Sequence, residues 1–452
     1  MTETQLSYAM RNVPRYTSYP TAPHFHAGVD GNAYSRWLES LTPDDSLSLY
    51  LHVPFCREIC HYCGCHTKAT RQDAPLVAYA KTLSRELELV ASHLKASGPV
   101  RHIHWGGGTP SLLPEQSLIE IAGMLRVLFN LAPDVEHAIE LDPRYVTISL
   151  SDTLARIGVN RASLGIQDLD LTVQKAIGRV QSYEVVKTAV SRLRAAGLND
   201  LNFDLMYGLP HQTLRSIRET VARTIELRPG RIALFGYAHV PWMKKHQRLI
   251  SEDSLPGSAE RMELADAARS DLLAAGYRAI GLDHFALPDD SMAIAEEHGE
   301  LRRNFQGYTT DSGEQLLGFG VSSIGKLSKG YVQNMPDVGH WRRAIEDGEL
   351  PVARGMELST DDLLRGRIIE QLMTDYRCDL SATAASFGET PQGLLGSIDA
   401  LDELVREGFV VVNGWNVQVS AKGRPFVRLA AAAFDAYLEG SSAGTKRHSL
   451  AV

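Results

Sequence analysis

From residue 46 to about residue 286, short apolar runs alternate with amphipathic stretches at intervals of about 30 to 40 residues, which constrains the fold more than any other feature of the chain. The spacing predicts strands at 48–53, 103–105, 138–142, 162–166, 202–207, 232–238 and 277–282. Helical stripes fill the intervals: Leu83, Leu87, Val90 and Leu94 recur on one face, and Val186, Val190 and Leu193 follow Ser182 as N-cap and precede Gly197 as the C-terminal stop. Parallel strands need crossovers of this length, and about six or seven such units favour an α/β fold with a full or partial TIM-like (β/α) barrel over an open doubly wound sheet.

The flanks break the pattern. Residues 1–45, rich in Tyr and Pro, read as an irregular N-terminal arm with a short helix near 34–38. The barrel is expected over 46–290, a connecting segment covering it over 291–336, and a small, mostly helical, winged-helix-like C-terminal domain over 337–440. That domain should hold helices at 361–376 and 391–407 and a hairpin at 410–419, where Asn413-Gly414 separates two apolar runs. The Gly/Ser/basic stretch at 441–452 reads as a disordered tail.

Lys plus Arg total 46 against 54 Asp plus Glu, a net charge of −8, which argues against a nucleic-acid binder that relies on overall positive charge. The C-terminal domain intersperses Asp361, Asp362, Asp399, Asp402, Glu403 and Glu407 among its arginines, a poor phosphate-facing surface, so it reads as a cover for the barrel mouth. No run of 18 apolar residues occurs and the first 14 residues lack a signal-peptide pattern, so no membrane association is expected, and a cytoplasmic monomer is the default.

Four of the five cysteines lie between Cys56 and Cys65, directly after the first strand, in Cys56-Arg-Glu-Ile-Cys60-His-Tyr-Cys63-Gly-Cys65. A disulfide framework spreads its cysteines along the chain, and structural zinc usually takes two separated ligand pairs. One compact loop of thiols at a barrel strand's C-terminal end suits an iron-sulfur cluster better. At the next strand end stands His104-Trp105-Gly106-Gly107-Gly108-Thr109-Pro110, a glycine run that lets backbone groups approach a ligand. Glu140 with Asp142, Gln167 with Asp168, and Asp204 place polar groups at the same rim. For each, capping or solvation is the competing explanation. Arg179 is either a surface charge or a bidentate partner for a carboxylate ligand.

The Cys-x-x-x-Cys-x-Tyr-Cys pattern with the glycine run resembles the radical S-adenosylmethionine superfamily. More narrowly, Pro14-Arg15-Tyr16-Thr17-Ser18-Tyr19-Pro20, the Cys63-Gly64-Cys65 ending, Asp204-Leu-Met-Tyr-Gly-Leu-Pro210, Tyr237-Ala238-His239 and Arg303-Asn304-Phe305-Gln306-Gly307-Tyr308 are similar to the oxygen-independent coproporphyrinogen III oxidases (dehydrogenases). The resemblance covers nearly the whole chain. It implies a four-iron four-sulfur (4Fe-4S) cluster on Cys56, Cys60 and Cys63, with S-adenosylmethionine at the remaining iron as the source of a 5'-deoxyadenosyl radical. Two propionates of coproporphyrinogen III then become the vinyl groups of protoporphyrinogen IX.

Position by position, the resemblance assigns Tyr50, Gly107, Glu140 and Ile324 to the cluster-bound S-adenosylmethionine. It assigns Gly108, Thr109, Gln167, Arg179, Asp204 and Ala238 to a second S-adenosylmethionine, and makes Cys65 a catalytic cysteine that does not ligate the cluster. Arg15 and Tyr16 are candidate catalytic residues on an arm meeting the macrocycle, and Lys68, Arg71 and Arg303 are candidate partners for propionates. Arg302 stands where many relatives are expected to carry His. An electron donor and an acceptor are implied but not identified. The competing function is a haem chaperone of the same superfamily, against which Cys65 and the stretch 15–20 argue.

Overall fold

The computed structural model describes residues 7–438, so the stretch expected to form a tail lies outside the described residues. The chain folds as two compact units. One comprises Phe25–Leu255 and Asp311–Glu357, and the other the chain up to His24, Pro256–Thr310, and the chain from Leu358 onward.

The first unit is built on strands β1 (Leu47–Val53), β2 (Val100–Gly107), β3 (Leu131–Leu141), β4 (Arg161–Gln167), β5 (Asp200–Tyr207) and β6 (Arg231–Gly236), each parallel to the next. On the other side of β1 lies β7 (Gln315–Phe319), also parallel, followed by antiparallel β8 (Ile324–Leu327), β9 (Gly330–Asn334) and β10 (Val352–Glu357). The order β10-β9-β8-β7-β1-β2-β3-β4-β5-β6 is that of a partial barrel. Every residue of β1 is buried, as a central parallel strand covered on both faces requires.

Local chemistry explains the helices. Ser182 accepts from Val185 N and caps helix Tyr183–Ala195, whose Val186, Val190 and Leu193 are buried, and Gly197 takes φ +94° just beyond its end. Helix Ala74–Ser92 buries Leu83, Leu87 and Val90 but stops before Leu94, so the predicted stripe is one turn too long.

Three sequence expectations need correction. The run at 277–282 is not a further parallel strand: Arg278–Ile280 pairs antiparallel with His284–Ala286 as a short hairpin of the second unit. The expected connecting segment 291–336 is divided, because β7 supplies Leu317 and Phe319 to the buried sheet, whereas Tyr308 packs with Ile280, Ala286 and Leu301 in the second unit. The arm likewise splits at residue 24, since helix Gly31–Glu39 packs on β10, and 338–357 belong with the barrel unit.

In the second unit helix Thr360–Asp375 and the hairpin Val410–Asn413/Asn416–Val419, joined by Arg377–Asp379, form as expected, but the helix expected at 391–407 is broken into a 3-10 turn at Pro391–Leu394 and short helices Leu395–Asp399 and Asp402–Arg406. The hairpin turn is Gly414-Trp415, one position later than predicted, because Asn413 pairs with Asn416 and Gly414 takes φ +58°. Cys378 is buried there, its thiol bonded to Gln371 at 3.0 Å.

The arm residues Tyr8, Val13, Tyr16 and Tyr19 are core members of this unit, beside Ile368, Leu372 and Phe409. Tyr16 OH donates to Asp435 at 3.0 Å, and Arg428 Nε donates to the Pro14 carbonyl at 2.9 Å. The Tyr16 ring, expected on the macrocycle, is thus committed to packing, because a bulky ring gains more buried in a core than on an open surface. Tyr16→Phe should cost about 1.5–3 kcal/mol, the range for a buried hydrogen bond to a charged group. Urea denaturation checks this, and deletion of residues 1–24 should destabilise the second unit rather than leave it intact.

A buried carboxyl anchors the far side of the barrel unit. Glu86 accepts from Gly320 N at 2.6 Å and Trp341 Nε1 at 3.2 Å, with Asn334 Nδ2 on its other oxygen at 2.5 Å. Burial nevertheless pushes its pKa up to about 8. A carboxyl raised in the folded state stabilises below its unfolded pKa, near 4.3, and loses that contribution as pH rises toward 8. Glu86→Gln removes this titration, so the variant should gain on the wild type by up to a few kcal/mol between about pH 4.5 and 8. Denaturation midpoints across that range measure the effect.

Candidate active site

The cysteine loop leaves β1 at Val53 and closes on itself, Phe55–Cys56 pairing in parallel with Lys68–Ala69. Lys68 N donates to Pro54 O at 2.6 Å and Thr70 N to Cys56 O at 2.9 Å. The neighbouring strand end grips the loop: Gly108 N reaches Val53 O and Thr109 N reaches Phe55 O, both at 2.8 Å, while Thr109 Oγ1 lies 3.5 Å from Cys56 Sγ. On the other side His61 N donates to Ile177 O at 2.8 Å.

Arg179 draws two strand ends to the loop. It donates to Cys60 Sγ at 3.6 Å and to Gly165 O at 2.8 Å, and pairs with Asp142 at 3.1 Å. Burial opposes its charge, but Tyr62, Asp142 and Cys60 more than offset this and raise its pKa. Asp142 also caps the turn after β3 and pairs with Arg144 at 2.7 Å. Arg179 is buried rather than a surface charge, and the carboxylate it meets here is that of Asp142. Gly178, at φ +65°, is needed because a Cβ there would lie 2.8 Å from the His61 ring.

The glycine run has a nearer cause than a ligand. A Cβ on Gly107, which has φ +114°, would lie 2.6 Å from the His52 ring, one on Gly108 2.5 Å from the Phe55 carbonyl, and one on Gly106 2.8 Å from Glu140. Glu140 accepts from Gly107 N at 3.0 Å and lies 3.2 Å from His104 Nε2. Burial lowers the pKa of His52 to about 4, so it is neutral near pH 7, and its Nε2 proton faces the His66 carbonyl at 3.2 Å. Nδ1 therefore accepts from Tyr50 OH at 2.9 Å. Tyr50 pairs with Gly318 of β7, which lies against the backbone of Ile324, so Tyr50, Gly107, Glu140 and Ile324 line adjoining strands.

Farther along the row the register slips between Gly165 and Gln167, and Gln167 sits at φ +66°, a bulge of the kind that re-aims side chains beside active sites. Asp204 accepts from Ser163 at 3.1 Å and Asn202 at 2.9 Å. Asp168 is wholly buried, bonded to Gln212 at 2.6 Å and Thr220 at 3.1 Å, which is a structural role. Lys68, 3.9 Å from Asp337, and Arg71, 3.1 Å from Glu58, form exposed ion pairs. In the second unit Arg303 donates to the Tyr16 and Arg15 carbonyls at 3.3 and 3.1 Å, tying down the arm, and Arg302 is 3.7 Å from Glu370.

Sequence reasoning missed one part of the site. After β6, Lys244 Nζ donates to Cys65 O at 2.9 Å, His246 Nε2 lies 2.7 Å from Cys63 O, and Gln247 Nε2 donates to Tyr62 O at 3.0 Å and Ala238 O at 3.3 Å. Gln247 Oε1 accepts from Val240 N at 2.6 Å. In sequence, Lys-Lys-His-Gln-Arg reads as a solvated run. Only the burial of Gln247, at 1% exposure, betrays the clamp.

Cys56, Cys60 and Cys63 are free thiols on this one loop, Cys60 buried and the others half-buried, with Cys65 exposed. The Cys65 thiol draws the Cys63 pKa below the usual thiol value, and burial pushes Cys56 up to about 11. Three free thiols, two with hydrogen-bond donors on their sulfurs, are a donor set that fits an iron-sulfur cluster. Arg179 Nε is buried without a protein partner, a donor left for an acceptor that the polypeptide does not supply.

Gln247→Ala should release the loop, at a cost of about 1–3 kcal/mol for the groups left unpaired. Amide hydrogen exchange of the cluster-free chain should quicken across residues 60–65 while β5 stays protected.

The sequence description of the Radical SAM superfamily matches residues 50–224. An oxygen-independent coproporphyrinogen III oxidase of Bradyrhizobium diazoefficiens is 48% identical over 447 residues, 99% of each chain. One of Pseudomonas aeruginosa is 39% identical over 94% of this chain and 93% of its own. The solved coproporphyrinogen III oxidase of Escherichia coli, a radical SAM enzyme, superposes with a TM-score of 0.90 at 36% identity, covering 94% of this chain and 98% of that one. With this likeness running from end to end, and not only through the barrel, the chain belongs to the family of oxygen-independent coproporphyrinogen III oxidases.

Proposed function

We propose that this protein converts coproporphyrinogen III to protoporphyrinogen IX without oxygen, by oxidative decarboxylation of two propionates, as a step of haem biosynthesis in the cytoplasm. The observation that carries the reading is the closed loop presenting three free thiols at the C-terminal ends of a parallel barrel sheet, in a chain of this family. Cys56, Cys60 and Cys63 would hold the 4Fe-4S cluster. When bound, that cluster and S-adenosylmethionine supply one-electron chemistry able to remove hydrogen from an unactivated carbon.

The chain's own residues position and exclude. Glu140, held by Gly107 N and His104, offers a fixed carboxylate to a cofactor amino group, while Tyr50 is held by His52. A second S-adenosylmethionine would contact Gly108, Thr109, Gln167, Arg179, Asp204 and Ala238. In that set Arg179 and Thr109 also touch the cysteine loop, linking the two cofactor positions. Cys65, exposed beside Cys63, is free to act on the substrate rather than on the cluster. Arg15 is exposed and would meet a propionate of the substrate, whereas Tyr16 acts by anchoring the arm that carries it.

Anaerobic incubation with coproporphyrinogen III, S-adenosylmethionine and reductant should yield 5'-deoxyadenosine, methionine and carbon dioxide, with two carboxyl groups lost per porphyrinogen by mass analysis. Alanine at Cys56, Cys60 or Cys63 should abolish cluster absorbance. Cys65→Ser should keep its iron while vinyl formation collapses. Tight haem binding with no decarboxylation would overturn the reading in favour of a chaperone.

A further inference from the structure

On β5 the side chains alternate between two environments. Leu201, Phe203 and Leu205 are 0% exposed, whereas Asn202 and Asp204 between them are half-buried, so the apolar face is packed and the polar face is left partly open. At its own level in the sheet Asp204 is flanked by Gly165 on β4 and Ala233 on β6, neither of which can bond its carboxylate through a side chain. The space over Gly165 is taken by donors, since a Cβ there would lie 3.0 Å from Gln167 Nε2 and 3.2 Å from Arg179 Nη2. Side-chain support for the carboxylate comes from one level down, where Ser163 on β4 and Asn202 on β5 are paired in register.

Those two side chains and the carboxylate close a ring of hydrogen bonds. Asn202 Nδ2 donates to Ser163 Oγ at 2.7 Å and to Asp204 Oδ1 at 2.9 Å, and Ser163 Oγ donates to Asp204 Oδ2 at 3.1 Å. The one proton of the serine hydroxyl is thus committed to the carboxylate. The orientation of the Asn202 amide is fixed as well, because turned over it would set its oxygen against an anion. As it stands, Asn202 Oδ1 is buried with no hydrogen-bond partner in the protein. A buried acceptor left in that state is costly, so the amide serves the groups its N–H bonds reach rather than its own satisfaction. Resting on the reading above that Asp204 contacts a second S-adenosylmethionine, we infer that Asn202 and Ser163 are positioning residues that fix the Asp204 carboxylate for that cofactor. An aspartate alone on a half-open face loses rotamer freedom when a ligand arrives, and one already gripped on both oxygens does not.

The test is equilibrium dialysis of the cluster-loaded, oxidised enzyme against radiolabelled S-adenosylmethionine, with the Mössbauer signature of the open iron as a separate reading of the first position. The wild type should bind two molecules per chain. Asn202→Leu and Ser163→Ala should each weaken one of the two about tenfold, the loss of a hydrogen bond to a charged group, and leave the position read by the iron unchanged. Ser163→Thr, which keeps the hydroxyl, should restore the wild-type affinity. In an Asp204→Ala background Asn202→Leu should cost nothing further, since the carboxylate it serves is gone. Additive losses in that double variant would overturn the inference, as would unchanged binding in both single variants, an equal loss at both positions, or a single molecule bound by the wild type. If the wild type bound both molecules and still failed to decarboxylate coproporphyrinogen III, the proposed function would fall, and the dialysis would still decide the roles of Asn202 and Ser163.

Discussion

The cysteine loop has almost no secondary structure of its own, yet it must hold three thiols in fixed relation. Its backbone polar groups therefore need partners supplied from elsewhere. They come from three directions: Thr109 beyond β2, Ile177 in the turn before Arg179, and the Lys244–His246–Gln247 clamp beyond β6. The remainder of the barrel unit serves to bring these three places to one end of the sheet. A parallel sheet does so by construction, since every strand delivers its C-terminal end to the same rim.

That gathering works only if strand ends approach more closely than side chains normally permit. Gly106, Gly107, Gly108 and Gly178 each stand where a Cβ would strike a neighbour at 2.5–2.8 Å, and the neighbours are His52, Phe55, Glu140 and His61. The glycines thus fix how closely these groups approach the neighbouring strand ends. Arg179 shows the electrostatic side of the same economy. One buried guanidinium is balanced by Asp142, bonds a backbone carbonyl and still donates to a cysteine sulfur, which a lysine could not do with a single point charge.

Glu86 illustrates how support reaches the site from within the barrel unit. Glu86 holds Gly320, and Tyr79 bridges the His52 carbonyl and Val321 N at 2.7 and 3.1 Å, so the turn after β7 and the end of β1 keep a fixed spacing around Tyr50 and Ile324. Within the second unit, Tyr16 and Arg428 bind the arm into the C-terminal core, which turns an apparently irregular segment into a fixed platform for Arg15.

By itself the sequence determined the parallel sheet, the compact cysteine loop and the helix caps, because each is a local matter. Strand and helix periods are written in neighbouring residues, the thiols lie within ten positions, and Ser182 accepts from an amide three residues on. Only the tertiary structure decided what distant segments do for one another. The run 277–282 looked like a parallel strand and became half of a hairpin, because Arg278–Ile280 pairs antiparallel with the nearby His284–Ala286, while the place beside β1 is taken by Gln315–Phe319. The Tyr16 ring looked available and was buried, because its partners lie more than 350 positions away. Gln247 sat unnoticed in a basic run, since nothing in its neighbours shows that its amide reaches back 185 residues to the Tyr62 carbonyl. Periodicity reports which face of an element is buried, whereas hydrogen-bond partners across such separations exist only once the chain has folded.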